Sequence, residues 1–216
     1  MNRHMYHPRD PVSSITHLAG AIFFALGTIL LLVRTTLRGG GAIDYVAASA
    51  FGLSLMALYS ASAAYHHVSD SQRIIGILRK LDHSMIYLLI AGSYTPILLK
   101  YYPIPSVYTY LAVVWGVAAA GISLRFIWWK APRWLYTLSY LLMGWMIMLE
   151  PQIILSIPTG AFALLLAGGL SYTAGGIIYA IKKPNISKAF GFHELFHVFV
   201  LLGSLCHYLL VFIYVV

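Results

Sequence analysis

Charged side chains are scarce. Asp, Glu, Lys and Arg make up 9% of the 216 residues, against roughly 25% in an ordinary soluble domain. A chain so poor in charge cannot cover itself with a polar surface in water, which excludes an ordinary soluble fold. Acidic residues are the scarcer kind, six against fourteen Lys and Arg. The net charge of +8 would suggest nucleic acid in a soluble protein. Here it reads as the basic flanks of membrane spans, with no nucleic-acid partner. The single cysteine, Cys206, excludes an intrachain disulfide. No interval between apolar runs could house a separate soluble domain, and no internal repeat is visible. The first apolar run ends in Arg34 rather than in a small-residue cleavage site, so it reads as a span that stays.

What the chain has instead is apolar length, with 60% hydrophobic residues. A helix needs about 20 apolar residues to cross the hydrocarbon core, with a range of roughly 17 to 25. Seven runs approach this, at 15–33, 45–65, 81–99, 108–124, 134–149, 159–181 and 192–216. The fifth is short, and Pro151 closes it. Gly, Pro and Lys clusters mark the breaks. The expectation is an all-α, polytopic membrane protein, a single seven-helix domain over 1–216 with a short cytoplasmic leader at 1–14. With seven spans, Arg3, Arg9, Arg73, Arg79, Lys80, Arg125, Lys130, Arg133, Lys182, Lys183 and Lys188 share one side; Arg34, Arg38 and Lys100 lie on the other. The positive-inside rule then puts the N-terminus in the cytoplasm and the C-terminus outside. The expected location is a bacterial inner membrane, crossed several times. Trp128, Trp129 and Trp134 read as an interfacial belt. Gly168, Gly169, Ser171, Gly175 and Gly176 form a small-residue face, for packing within the bundle or between protomers of a homo-oligomer.

On this topology the ionisable groups converge. His66 ends span two, Asp82 begins span three, and His193 and His197 begin span seven, all on the cytoplasmic side. Ionisable groups at such depth are costly and mark function by default. His193 and His197 are spaced i, i+4 and share a helix face, as do Ser62 and His66. Two imidazoles from one helix and one from another leave the fourth tetrahedral position to water, the composition of a catalytic zinc site. Zinc lowers the pKa of that water to about 7. Asp82 would take or hold its proton, and Ser62 would support Asp82 or orient a substrate carbonyl. His67 and His83 read as interfacial, and His4 and His7 as solvated. His207, ten residues past His197, lies about 15 Å deeper at 1.5 Å per residue and reads as a bond to a neighbouring helix or buried water. His17 is placed either beside the site or apart from it.

His193-Glu194-Leu195-Phe196-His197 also matches H-E-x-x-H, the zinc-peptidase pattern in which the glutamate is the base. The extended form is absent, because Val200 and Gly203 stand three and six residues after His197. No acid follows Glu194 to serve as third ligand. An intramembrane metalloprotease is therefore a minor alternative. Glu194 has a simpler account as a first-turn acid favoured by the helix dipole.

The segments SASAAYHH (60–67), KLDHSMIYLLIAGSYTP (80–96) and FHELFHVFVLLGSLCH (192–207), with ITHLAG (15–20), resemble the bacterial hemolysin III proteins. These belong to the seven-span superfamily of progestin and adiponectin receptors. The resemblance covers nearly the whole chain. It implies a zinc site near the cytoplasmic face with ligands His66, His193 and His197, joined by Asp82 and Ser62. The eukaryotic receptors carry a long cytoplasmic N-terminal region, for which 1–14 is too short. The wider superfamily includes alkaline ceramidases, in which a similar Ser, Asp and three-His set cleaves an amide. The leading expectation is thus a zinc-dependent hydrolase of lipid amides or esters whose substrate enters from the bilayer. Its rivals are a cytolytic or pore-forming protein and a non-catalytic sensor of membrane state with structural zinc.

Overall fold

The computed structural model describes residues 8–69, 71–128, 130–187 and 190–216. Arg3, His4, His7, Trp129 and Lys188 lie outside these. All regular structure among the described residues is helical: α1 (Pro11–Leu37), α2 (Ala42–His67), α3 (Gln72–Tyr101), α4 (Ser106–Ile127), α5 (Arg133–Trp145), α6 (Pro151–Ser156), α7 (Thr159–Ile181) and α8 (Phe192–Leu210). A 3-10 turn, Met146–Leu149, extends α5, and a π-helical turn, Val211–Val215, extends α8. Five helices are long and apolar enough to cross a membrane: α1, α2, α4, α7 and α8 taken with its π turn. Leu18, Phe23, Leu26 and Ile29 line an exposed face of α1, as lipid-facing side chains do.

Helix α3 fails the apolar criterion for a physical reason. It packs against α2, α4, α5 and α6, so protein rather than lipid surrounds it and polar side chains are tolerated. Gly92 lets it approach α2: a Cβ there would overlap the Ser54 hydroxyl and sit 3.0 Å from the Ala50 carbonyl. The chain runs α1 against α2 against α3, then α5 against α7 against α8, and α8 returns to α1. This ring surrounds an interior space, with α4 applied outside α3.

Helix α5 stops short because tyrosines take over its backbone. In hydrocarbon a freed carbonyl or N–H costs several kcal/mol unless protein satisfies it. The Tyr94 hydroxyl donates to the carbonyls of Met143 and Gly144 at 2.9 and 3.0 Å, and accepts the Ile147 N–H at 2.8 Å. Tyr110 donates to the Met146 carbonyl at 2.8 Å. The α-helix can therefore tighten at Met146 without leaving polar groups bare. Pro151 does not end the structure there but occupies the first turn of α6, where its missing N–H is harmless.

The small-residue face of α7 packs within this chain. Gly168 lies against His207, Gly175 against Phe196 and Phe199, and Gly176 against Leu141. At the opposite end, Arg34 and Arg38 both donate to the Val216 carbonyl, at 2.8 and 2.9 Å. Arg34 and Arg38 thus cap the end of the last helix.

Candidate metal centre

His66 and Ser62 share the buried face of the last turns of α2. His193 and His197 share the inward face of the first turns of α8. That helix starts where Gly191 adopts an extended backbone and Glu194 Oε2 accepts the Gly191 N–H at 2.9 Å. The other oxygen, Oε1, accepts from Ser13 Oγ at 2.9 Å, which ties α1 to α8. Glu194 therefore caps a helix and braces a corner, as the first-turn reading expects and the peptidase pattern does not.

The three imidazoles meet. Their ligand nitrogens all lie within 4.8 Å of one another, and His66 Nε2 faces His193 Nε2 at 3.2 Å. Nitrogens on a tetrahedral zinc at 2.0–2.1 Å stand about 3.3 Å apart, so this edge already has the right length. His66 Nδ1 lies 3.0 Å from Asp10 Oδ2. In the neutral ring that nitrogen carries the hydrogen, and the lone pair on Nε2 points at His193. Two such lone pairs repel unless a proton or a cation lies between them. His66 and His197 are each 2% exposed, and His197 Nδ1 makes no hydrogen bond of good geometry. A carboxylate behind one ring and three converging imidazole nitrogens, two of them on fully buried rings, are what a metal ligated by three histidines requires.

Asp10 is the residue that sequence reasoning missed. It falls in the expected leader 1–14, but α1 begins at Pro11, and Arg9 and Asp10 before it dock on the end of α2. The Asp10 N–H donates to the His66 carbonyl at 3.0 Å, and Arg9 stacks over Tyr65 at 4.3 Å. Burial alone would raise the Asp10 carboxyl. The hydrogen bonds from His66 and Arg9 outweigh it and hold the group below its ordinary value. An Asp-Pro pair before an apolar run is a helix-start signal, but nothing local reveals a partner 56 residues away. Replacing Asp10 with Asn should weaken zinc binding 10- to 100-fold, the usual cost of losing such a partner. Saturating zinc should still fill the site, as chelator competition against wild type would show.

Beside the imidazoles, Ser62 hydrogen-bonds to Asp82, which is half-buried at the start of the apolar part of α3. His17 stacks on His197, with centroids 3.6 Å apart and planes 14° apart. It thus lies beside the site without belonging to the three-nitrogen group. His83 differs from expectation. It is buried, its Nδ1 bonds to the Arg79 carbonyl at 2.6 Å and its Nε2 lies 3.3 Å from the Tyr179 hydroxyl. His67 is exposed. His207 Nε2 lies 3.3 Å from the Leu165 carbonyl, bonded to a neighbouring helix as expected.

Two cavities meet at this centre. An apolar one runs into the bundle, lined by Leu58, Ile86, Ile90, Leu165, Phe196 and Val200 among others. A polar vestibule of about 550 Å³ opens on the other side. Asp82, His83, Tyr179 and His193 border both.

A family profile described as haemolysin-III related matches residues 5–208. Among curated proteins, the chain is 35% identical over 204 residues to "Hemolysin-3" of Bacillus cereus, covering 94% of this chain and 90% of the relative. It is 34% identical over 205 residues to the "Hemolysin-3 homolog" of Bacillus subtilis (strain 168), covering 94% and 93%.

Proposed function

The chain belongs to the haemolysin-III family, and on that premise we propose that it is a seven-span inner-membrane protein that hydrolyses a lipid amide or ester with the help of zinc. The seven spans are α1, α2, α3, α4, α5 with its 3-10 turn, α7, and α8 with its π turn. Its metal centre faces the cytoplasm, on the side where most Lys and Arg gather. The observation that carries the hydrolase reading is the position of the three imidazoles and Asp82, where an apolar cavity meets a polar vestibule. An amphiphile with its acyl chain in the first and its head in the second has its linking bond at that junction.

His66, His193 and His197 hold the metal, with Asp10 fixing the ring of His66. When bound, zinc supplies Lewis acidity at neutral pH. Asp82, oriented by Ser62, accepts a proton from a water molecule as its oxygen bonds to the substrate carbonyl carbon. The carbon–nitrogen or carbon–oxygen bond then breaks, and Asp82 returns the proton to the departing amine or alcohol. The apolar walls bury the acyl chain and exclude further water.

Purified protein in detergent should cleave members of a panel of lipid amides and esters. Stripping the metal with a chelator should abolish turnover, and added zinc should restore it. Turnover that survives complete removal of metal would overturn the reading. The relatives' name, "Hemolysin-3", favours lysis as a second reading. Liposomes resolve the two: leakage that persists in metal-stripped protein would favour lysis, and cleavage without leakage favours the hydrolase.

A further inference from the structure

The vestibule has a composition that hydrolysis alone does not explain. Arg79 from α3, Arg125 from α4, Lys130 from the α4–α5 connection and Arg133 from α5 all line it. Its carboxylates are Asp10, Asp82 and Glu194, and each already has partners: Asp10 has His66 and Arg9, Asp82 has Ser62, and Glu194 has Ser13 and the Gly191 N–H. The four cationic groups outnumber the three carboxylates by one, with Arg125 among the charges that act on Asp82, and a metal beside them would add to the positive charge.

The guanidinium groups are also fixed in orientation. Arg125 lies over Tyr136 at 4.3 Å, and Arg133 over Tyr179 at 4.5 Å. Stacking holds the plane of each guanidinium. Arg125 is only 4% exposed, unlike Lys182 and Lys183, which are exposed at the end of α7. Basic residues that merely flank a span reach outward toward head groups, whereas Arg125 is built into the wall. Arg133 Nη1 is buried and meets no hydrogen-bond acceptor among the described residues. A buried donor of this kind costs free energy until an acceptor arrives. One bidentate arginine suffices for a carboxylate. Cations converging from α3, α4, α5 and the connection between them suit a group with oxygens on several sides, which is a phosphate.

We propose that the vestibule binds the phosphate of a phospholipid head group, through Arg125 and Arg133 with Arg79 and Lys130 around them, so that the lipid handled here is an anionic phospholipid. This rests on the reading that the centre works on a membrane lipid, but its test does not need turnover. Zinc-loaded protein in detergent is titrated with a short-chain phosphatidic acid, with the diacylglycerol bearing the same chains, and with inorganic phosphate. Phosphatidic acid should bind at least tenfold more tightly than the diacylglycerol. That preference should vanish in R133Q and R125Q, survive in a K182Q/K183Q control, and leave zinc content unchanged throughout. If buried Arg125 proves necessary for folding, R133Q and K130Q carry the test.

Equal affinity for the two lipids would overturn the proposal, as would a preference that outlasts R133Q and K130Q. Inorganic phosphate binding as tightly as phosphatidic acid would assign the vestibule to free phosphate and overturn the lipid assignment. The two readings fail separately. Selective binding without any cleavage removes the hydrolase and keeps the phosphate site; cleavage of uncharged lipid amides without selectivity does the reverse.

Discussion

Replacing His197 with alanine is expected to yield protein that purifies without zinc, whereas wild type should purify with about one zinc per chain, as a three-histidine site would. The two remaining imidazoles, His66 and His193, face each other at 3.2 Å, but two ligands do not close a tetrahedral site. His197 lies in the first turns of α8, while His66 ends α2. Among the described residues these helices are not major packing partners; α8 packs mainly on α7 and α1. The Tyr59 hydroxyl of α2 bonds to Ser204 Oγ of α8 at 2.7 Å, and a shared metal would add a second tie between these helices at the His66 end. Adding zinc to stripped wild type should raise its thermal midpoint, by analogy with any ligand that binds only the native state: about 4 kcal/mol at a thousandfold excess over Kd. In His197→Ala the midpoint should no longer respond to zinc. A His207→Ala variant separates metal loss from general damage. His207 is also a buried histidine of α8, but its ring bonds to the Leu165 carbonyl, so that variant should keep its zinc. Equal metal in wild type and His197→Ala would remove the site altogether.

The sequence made some of this legible and hid the rest. The span expected at 159–181 is α7 residue for residue, because Pro158 precedes it and Lys182, with φ 59°, turns the chain at its end. The three histidines were legible because i, i+4 spacing and a common depth are one-dimensional signals. Helix α3 begins at Gln72, nine residues before the apolar run at 81–99, since Arg73, Arg79 and Lys80 bracket the short apolar stretch of its first turns and cut it off from that run. His83 was misplaced by the same logic. Adjacent residues on a helix point about 100° apart, so Asp82 inward seemed to leave His83 at the membrane interface. That inference holds for a helix at the rim and fails for α3, which has protein on several sides. The tyrosines that close off α5 were countable but not placeable, because Tyr94 meets Met143 only in three dimensions.

Asp82→Asn should cost 10²- to 10⁴-fold in kcat, the range for removing a general base, or about 3 to 5 kcal/mol at 1.36 kcal/mol per tenfold. Asparagine keeps the size of the side chain and can still accept the Ser62 hydrogen bond, so the neighbouring packing is preserved. What it loses is the capacity to hold a proton between attack and departure. Because that proton moves only during the reaction, KM should stay near the wild-type value while kcat falls. Zinc content should not change, since Asp82 lies outside the three-nitrogen group. Ser62→Ala removes one hydrogen bond to the same carboxylate, worth about 1 kcal/mol, and should slow turnover only about fivefold. The ordering matters more than either value. If Ser62→Ala were as damaging as Asp82→Asn, the serine would have to act on the substrate itself. If Asp82→Asn emptied the metal, the carboxylate would belong among the ligands. A variant with full turnover would move the proton-accepting role away from α3, and of the vestibule's other carboxylates Asp10 is bound to His66 while Glu194 caps α8. Neither is placed to replace it without releasing what it already holds.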